Sequence, residues 1–280
     1  MATEIELDNI SCGYSGHSGT HVVLDHFSMR IKRGEIWCIL GRNGAGKTTL
    51  FKTILGTLPA LGGSIRIAGR DAEEMSRREM ARVIAYVPQY HTPPFAFTVR
   101  EIVVMGRNAY IGTFGAPGPE DRQIADRVIR DLGIEHLADQ DYTRISGGER
   151  QMVLIARALA QQSAVLMMDE PAANLDYGNQ VRMLQQIRRL AARGISVVFT
   201  SHNPEHAFLS HAKVAAILGR DRVVQGQAED IITEELIAEI YGIRAHILRD
   251  PQAAGTAAGA AILPLTPEPD EQVGADGEDR

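Results

Sequence analysis

The chain has 280 residues, 44% of them hydrophobic, a formal net charge of −6 and two cysteines. That is enough apolar material for one large domain, with or without a subdomain, and the balance of charge lacks the basic face of a nucleic-acid binder. Cys12 and Cys38 are too few and too far apart for a C-x-x-C metal or redox pair or for a disulfide scaffold, and no run approaches the roughly 18 apolar residues of a membrane span.

The N-terminal MATEIELDNI is acidic and lacks the basic-then-apolar layout of a secretory signal, so a reducing cytoplasm is the expected setting. Alternation in TEIELD predicts a first strand at 3–8, and IWCIL predicts another at 36–40. A helical pattern follows at 47–57, then strands at 64–68 and 84–87. From about 90 to 160 the strands disappear, and helices at 98–107, 120–132 and 148–161 read as an α-helical subdomain inserted into an α/β core. Strands return at 165–169 (VLMMD), 196–200 (SVVFT) and 213–218, with helices at 179–193 and 233–241. The runs at 36–40, 165–169 and 196–200 are continuously apolar, as strands buried on both faces of a parallel sheet are. From Pro251 on, Ala, Gly, Pro and acid dominate, so 251–280 is expected to be an acidic tail without packed structure. Its apolar patch AAILPL, at 260–265, is the one part suited to docking.

GRNGAGKTT at 41–49 fits the pattern G-x-x-x-x-G-K-[ST], between a buried strand and a helix. Gly41, Gly44 and Gly46 let the backbone through Arg42, Asn43 and Ala45 curl, so that successive N–H groups point at phosphate oxygens. The helix N-terminus adds its positive end. Lys47 is placed to reach the β- and γ-phosphates of a nucleotide, Thr48 to bind Mg²⁺, and Thr49 completes the stretch. VLMMDE at 165–170 ends a buried strand in two carboxylates, which is costly without a cation or hydrogen bonds. Asp169 is placed to hold Mg²⁺, and Glu170 to polarise the water that attacks the γ-phosphate. A phosphate loop followed by an acid-ended strand admits kinases, GTPases, helicases and ATPases; the absence of an Asn-Lys-x-Asp tetrapeptide weighs against a GTPase.

A second glycine turn, ISGGERQ at 145–151, starts a helix and is itself suited to an anion. Together with Gln89 after IAYVP, ANLD at 173–176 and TSH at 200–202, it occurs in the order seen in ATP-binding-cassette ATPases, which the chain resembles from about residue 3 to 248. The usual signature is Leu-Ser-Gly-Gly-Gln; Ile145 and Glu149 depart from it and leave Ser146, Gly147 and Gly148 intact. The resemblance implies a P-loop NTPase core with a mostly parallel sheet, an antiparallel β subdomain and the inserted helical subdomain, all within 1–250. It implies ATP and Mg²⁺ as ligands. Ser146, Gly147 and Gly148 would face the ATP held by a second copy of the chain in a head-to-tail dimer. By the same resemblance His202 would contact the γ-phosphate and orient water, Gln89 would touch Mg²⁺ and the water, Asp176 would lie across the dimer interface, and Tyr14 would stack on adenine.

Relatives that organise DNA split the cassette with a coiled coil, and those of translation carry two cassettes; neither feature is present here. The resemblance therefore favours a transporter motor on the cytoplasmic face of a bacterial inner membrane, partnered by integral permease subunits and indirectly by a substrate-binding protein. VREIVVMGR, NLDYGNQ and EELIAEIYGI resemble importers of iron complexes such as siderophores and haem, of vitamin B12 and of molybdate or tungstate. The alternative is a stand-alone ATP-driven switch acting on a soluble protein or nucleic-acid complex. Tyr86, Tyr90, Phe95, Phe97, Tyr110 and Phe114 crowd around Gln89, and the segment QYHTPPFAFTVREIV at 89–103 is expected to line a groove for a short cytoplasmic helix of the membrane subunit.

Overall fold

The alternation of TEIELD continues through β1 (Thr3–Gly16), which pairs antiparallel with β2 (Gly19–Lys32) in a computed structural model that describes residues 3–16, 19–89, 95–112, 115–173, 175–249 and 260–265. The sequence reading gives no strand over β2. Its inward residues Leu24, Phe27, Met29 and Ile31 are buried, but register shifts and a left-handed His26 at φ 53° break the alternation at the point where it would be recognised. Next come β3 (Ile36–Leu40), α1 (Lys47–Ile54), β4 (Gly62–Ile67) and the short β5 (Arg70–Asp71). The order β2-β1-β4-β5 makes a four-stranded antiparallel sheet.

α2 (Arg77–Val83) is opened by a capping box between Ser76 and Glu79 and leads into β6 (Ile84–Val87). Among the described residues from 95 to 160 regular structure is helical: α3 (Val99–Val104), a 3-10 turn at Met105–Ala109, α4 (Pro119–Asp131), another at Glu135–Leu137, and α5 (Gly147–Ala160). The helix expected over 98–107 tightens after Val104. There the buried Arg107 donates to Asp121, the Ala160 carbonyl and Gln162 at 2.9–3.0 Å, tying the turn to α4 and to the end of α5.

The chain then runs through β7 (Val165–Met168), α6 (Tyr177–Ala192), β8 (Ser196–Ser201), α7 (Glu205–Ser210), β9 (Lys213–Ile217), β10 (Val223–Gln227), α8 (Ala228–Ile231), α9 (Glu234–Tyr241), β11 (Ala245–Arg249) and β12 (Ala260–Pro264). The central sheet has the order β10-β9-β3-β8-β7-β6, parallel from β9 to β6 with β10 antiparallel at the edge. Its strands alternate between two cores. Trp37, Ile39, Met167 and Val198 join α1 and the antiparallel sheet on one face, while Cys38, Leu40, Leu166, Met168 and Phe199 meet the helices on the other. That second core is continuous from the sheet into α3, α4 and α5, so the inserted helices share it instead of building their own.

The expectation of an unstructured tail from Pro251 is corrected over its apolar patch. β12 pairs antiparallel with β11, Ile262 opposite Ile247, and both isoleucines pack against the helix-side core. Residues 251–259 and 266–280 lie outside the described residues.

Candidate active site

The phosphate-loop candidate bridges the C-terminal end of β3 and α1, where a parallel sheet leaves room for ligands. Gly46 is the N-cap of α1 at φ 96°, and a Cβ there would come within 2.5 Å of Val23 Cγ1, so only glycine fits. Lys47 is 5% exposed. Its Nζ donates to the carbonyls of Gly41 (2.8 Å) and Arg42 (3.1 Å), which holds the loop in a ring around the ammonium. The same ammonium lies 3.2 Å from Glu170 Oε1.

Asp169 and Glu170 follow β7, as sequence spacing implies. The buried Asp169 accepts from Thr48 Oγ1 at 2.9 Å on one oxygen and from Thr200 Oγ1 at 2.7 Å on the other. Thr200 in turn accepts the Glu170 N–H at 2.7 Å. Glu170 stands at φ 44°, an uncommon conformation for a residue with a side chain, and so aims its carboxylate across the strand ends. Its second oxygen is 3.2 Å from Gln89 Nε2 and 3.3 Å from His202 Nδ1. One carboxylate thus gathers a lysine, a glutamine and a histidine from three separate segments.

The donor set fits Mg²⁺. Thr48 Oγ1, an Asp169 oxygen and the amide oxygen of Gln89 are hard oxygen ligands, and two of the three side chains already touch. Among the described residues no group of three or more His, Cys, Asp or Glu forms a cage of its own. The site therefore suits an ion that completes its shell with water and substrate phosphates, as Mg²⁺ does. Tyr14, 46% exposed on β1, hydrogen-bonds Thr49 Oγ1 at 3.1 Å, which puts an aromatic ring beside the loop.

The second glycine turn lies elsewhere in the chain. Ser146 caps α5, its N–H donating to Glu149 Oε2 at 2.8 Å and its Oγ accepting the Glu149 N–H at 3.3 Å. Glu149 therefore completes the capping box, and its bonds to Ser146 hold its carboxyl below the usual range. A Cβ on Gly148 would lie 2.9 Å from Asn179 Nδ2, so only a small residue lets α5 approach the start of α6. Asn179 donates to Asp176, the N-cap of α6, at 2.7 and 2.8 Å. Ser146, Gly147, Gly148 and Asp176 thus form one cluster; among the described residues no hydrogen bond or ion pair joins it to the loop at 41–49. Asn174 lies outside the described residues.

Sequence reasoning assigned no role to Thr200, although TSH was quoted, nor to Tyr241, and counted Tyr86 only among the aromatics around Gln89. Burial and the Asp169 carboxylate push the Tyr86 hydroxyl up to about 12, which places that ring beside the acid. Residues 90–94 of the segment expected to line a groove lie outside the described residues, and the described aromatics around that segment fall in separate places. Tyr86 packs against the core shared with the antiparallel sheet, and the guanidiniums of Arg82 and Arg107 lie 5.5 Å and 4.0 Å from the centre of the Tyr110 ring. Phe95 and Phe97 meet edge to face at 6.2 Å, while Tyr90 and Phe114 lie outside the described residues.

Comparison with known proteins gives a consistent picture. The family model described as ABC transporter matches residues 24–173. An ABC transporter ATP-binding protein of Haemophilus influenzae is 39% identical over 85% of this chain and 89% of its own length. The ferric enterobactin transport ATP-binding protein of Escherichia coli is 32% identical over 92% of this chain and 93% of its own. Other relatives are named for import of molybdate, hemin and cobalamin. Among solved structures, a transporter described as of metal-chelate ABC type, in an inward-facing conformation, aligns with TM-score 0.80 and 28% identity over 94% of this chain and 98% of that one.

Proposed function

This chain belongs to the ABC transporter family of ATPases, which act on ATP with Mg²⁺, and we propose that it is the ATP-hydrolysing subunit of a bacterial importer for an iron complex, cobalamin or an oxyanion such as molybdate. The observation that carries the catalytic part is the convergence of Lys47, Gln89 and His202 on Glu170, beside an Asp169 already bonded to Thr48. The importer part rests on the names of the relatives, and cargo selection belongs to other subunits.

In this reading the loop at 41–49 cradles the β- and γ-phosphates with backbone N–H groups, and Lys47 turns from Glu170 toward phosphate oxygen. Thr48, Asp169 and Gln89 hold Mg²⁺, which when bound neutralises charge on the phosphate oxygens. Released from Lys47, Glu170 accepts a hydrogen bond from the attacking water and draws off its proton as oxygen bonds to the γ-phosphorus. The bond from that phosphorus to the β,γ-bridging oxygen breaks, giving ADP and phosphate. His202 donates to a γ-phosphate oxygen and fixes the line of attack. Most of the rate comes from such positioning and charge stabilisation. Ser146, Gly147 and Gly148 face the ATP of a second copy of the chain, Asp176 lies beside them at the same interface, and Tyr14 stacks on adenine. Closure of that head-to-tail pair drives the membrane subunits from the cytoplasmic face.

Glu170→Gln is expected to lower turnover by about a hundredfold or more while ATP still binds, and to accumulate an ATP-bound dimer visible by size-exclusion chromatography. Undiminished turnover would remove Glu170 as the catalytic carboxylate. The importer reading is tested by reconstituting the chain with its membrane subunits in lipid and adding binding proteins loaded with ferric siderophore, haem, cobalamin or molybdate. Stimulation by one of them names the cargo; stimulation only by a soluble partner supports the stand-alone switch instead.

A further inference from the structure

His202 stands at the end of β8 in a loop that is gripped by parts of the chain far from the nucleotide site. Its side chain is 49% exposed, and among the described residues the imidazole's one polar contact is with Glu170. The ring therefore has little packing of its own, and its place is set by its backbone. That backbone is held from outside the site: the His202 carbonyl accepts a hydrogen bond from the Tyr241 hydroxyl at 2.7 Å, across 39 positions of sequence. Tyr241 is the last residue of α9, a helix capped by Thr233 and anchored through Leu236, Ile237 and Ile240 in the helix-side core. The Tyr241 ring packs against the same core, and burial raises its hydroxyl well above the ordinary tyrosine range, so it stays a donor.

The other side of the loop is tied down as well. Asn203 Oδ1 accepts the Glu205 N–H at 2.9 Å, and the Glu205 carboxylate accepts the Ile262 N–H of β12 at 3.1 Å. Ser201 Oγ, just before His202, bonds His206 Nδ1 at 2.9 Å and receives the Asn203 N–H at 2.9 Å. Ser201, Asn203 and Glu205 are thus each held by hydrogen bonds, and the Tyr241 hydroxyl holds the His202 carbonyl.

We propose that Tyr241 is a positioning residue for hydrolysis, its hydroxyl fixing the His202 backbone so that the half-exposed imidazole meets the γ-phosphate of ATP in line with the attacking water. The proposal rests on the reading of His202 as the γ-phosphate contact. Displacement of a reacting group by about 1 Å costs up to a hundredfold in rate; removing one hydrogen bond from the loop, with its other ties intact, is expected to cost about tenfold.

The test is steady-state ATPase kinetics on the full chain carrying Tyr241→Phe, His202→Ala, or both, with melting temperatures recorded in parallel. Tyr241→Phe removes one oxygen and keeps the packed ring. It is expected to lower kcat about tenfold with KM for ATP and melting temperature unchanged, and the double variant is expected to be no slower than His202→Ala. A loss in the double variant equal to the product of the two single losses, a Tyr241→Phe effect confined to KM or melting temperature, or full turnover in Tyr241→Phe overturns the proposal while leaving the role of His202 intact. Full turnover in His202→Ala removes both.

Discussion

Thr200 is the side chain on which the two carboxylates of the site depend, since one hydroxyl donates to Asp169 and accepts the Glu170 N–H, each at 2.7 Å. Thr200→Val keeps the shape, leaves a buried carboxylate oxygen short of a donor and a backbone N–H short of an acceptor, and is expected to cost about 1–3 kcal/mol. Urea unfolding measures that cost, and ATPase assays should show a lower kcat, because Glu170 at φ 44° loses the bond that pins it. A variant as stable and active as the parent would show that the bridge is dispensable. The local motifs were legible because loop, strand end and helix start are contiguous: Lys47, Thr48, Asp169 and Glu170 meet as their spacing implies. The contacts of Thr200 and Tyr241 were not legible, since each bonds a partner 30 or more positions away and neither has a local pattern.

Among the elements, those with unbroken apolar runs were read to within a residue or two, β3 and β6 at their observed limits. β2 was missed where bulges interrupt it, and α2, α7 and α8 because helices of seven, six and four residues show too few turns for a period. α7 carries a consequence for acid stability. His206 is buried against Ser201, and burial first, then the charge of His202, lowers its pKa from 6.5 to about 4. In that window the unfolded chain takes up a proton that the folded chain refuses, so this contribution is intact above about pH 6.5 and lost progressively as pH falls to about 4. The whole window corresponds to up to about 3 kcal/mol. Urea midpoints at about pH 7 and about pH 5 should converge in His206→Gln relative to the parent; an unchanged difference would assign the acid sensitivity to other groups.

At the scale of the whole molecule, the nucleotide site and the proposed membrane contact are close neighbours in the segment of sequence that follows β6. Gln89, at one end of that segment, touches Glu170, and Phe95 and Phe97 precede α3 at the other. Phe97 borders a groove of about 460 Å³ that continues past Arg100, Val104 and Met105 to Pro117 and Arg122, within the helices that share a core with the central sheet. Phe95 is 69% exposed, a large apolar side chain whose ring meets that of the groove-lining Phe97 edge to face. Such a residue suits the centre of an interface, where truncating an aromatic anchor commonly costs about 2 kcal/mol or more. Phe97 packs against the core, so a charge there would also disturb folding, whereas Phe95 can carry one in water. Phe95→Glu is therefore expected to leave the melting temperature and ATP affinity of the isolated chain unchanged. It should weaken association with the membrane subunits about thirtyfold or more, the equivalent of that 2 kcal/mol, and abolish cargo-stimulated turnover in proteoliposomes. Full cargo stimulation in that variant would move the membrane contact elsewhere on the helices, and a lower ATP affinity would place Phe95 within reach of the nucleotide site instead.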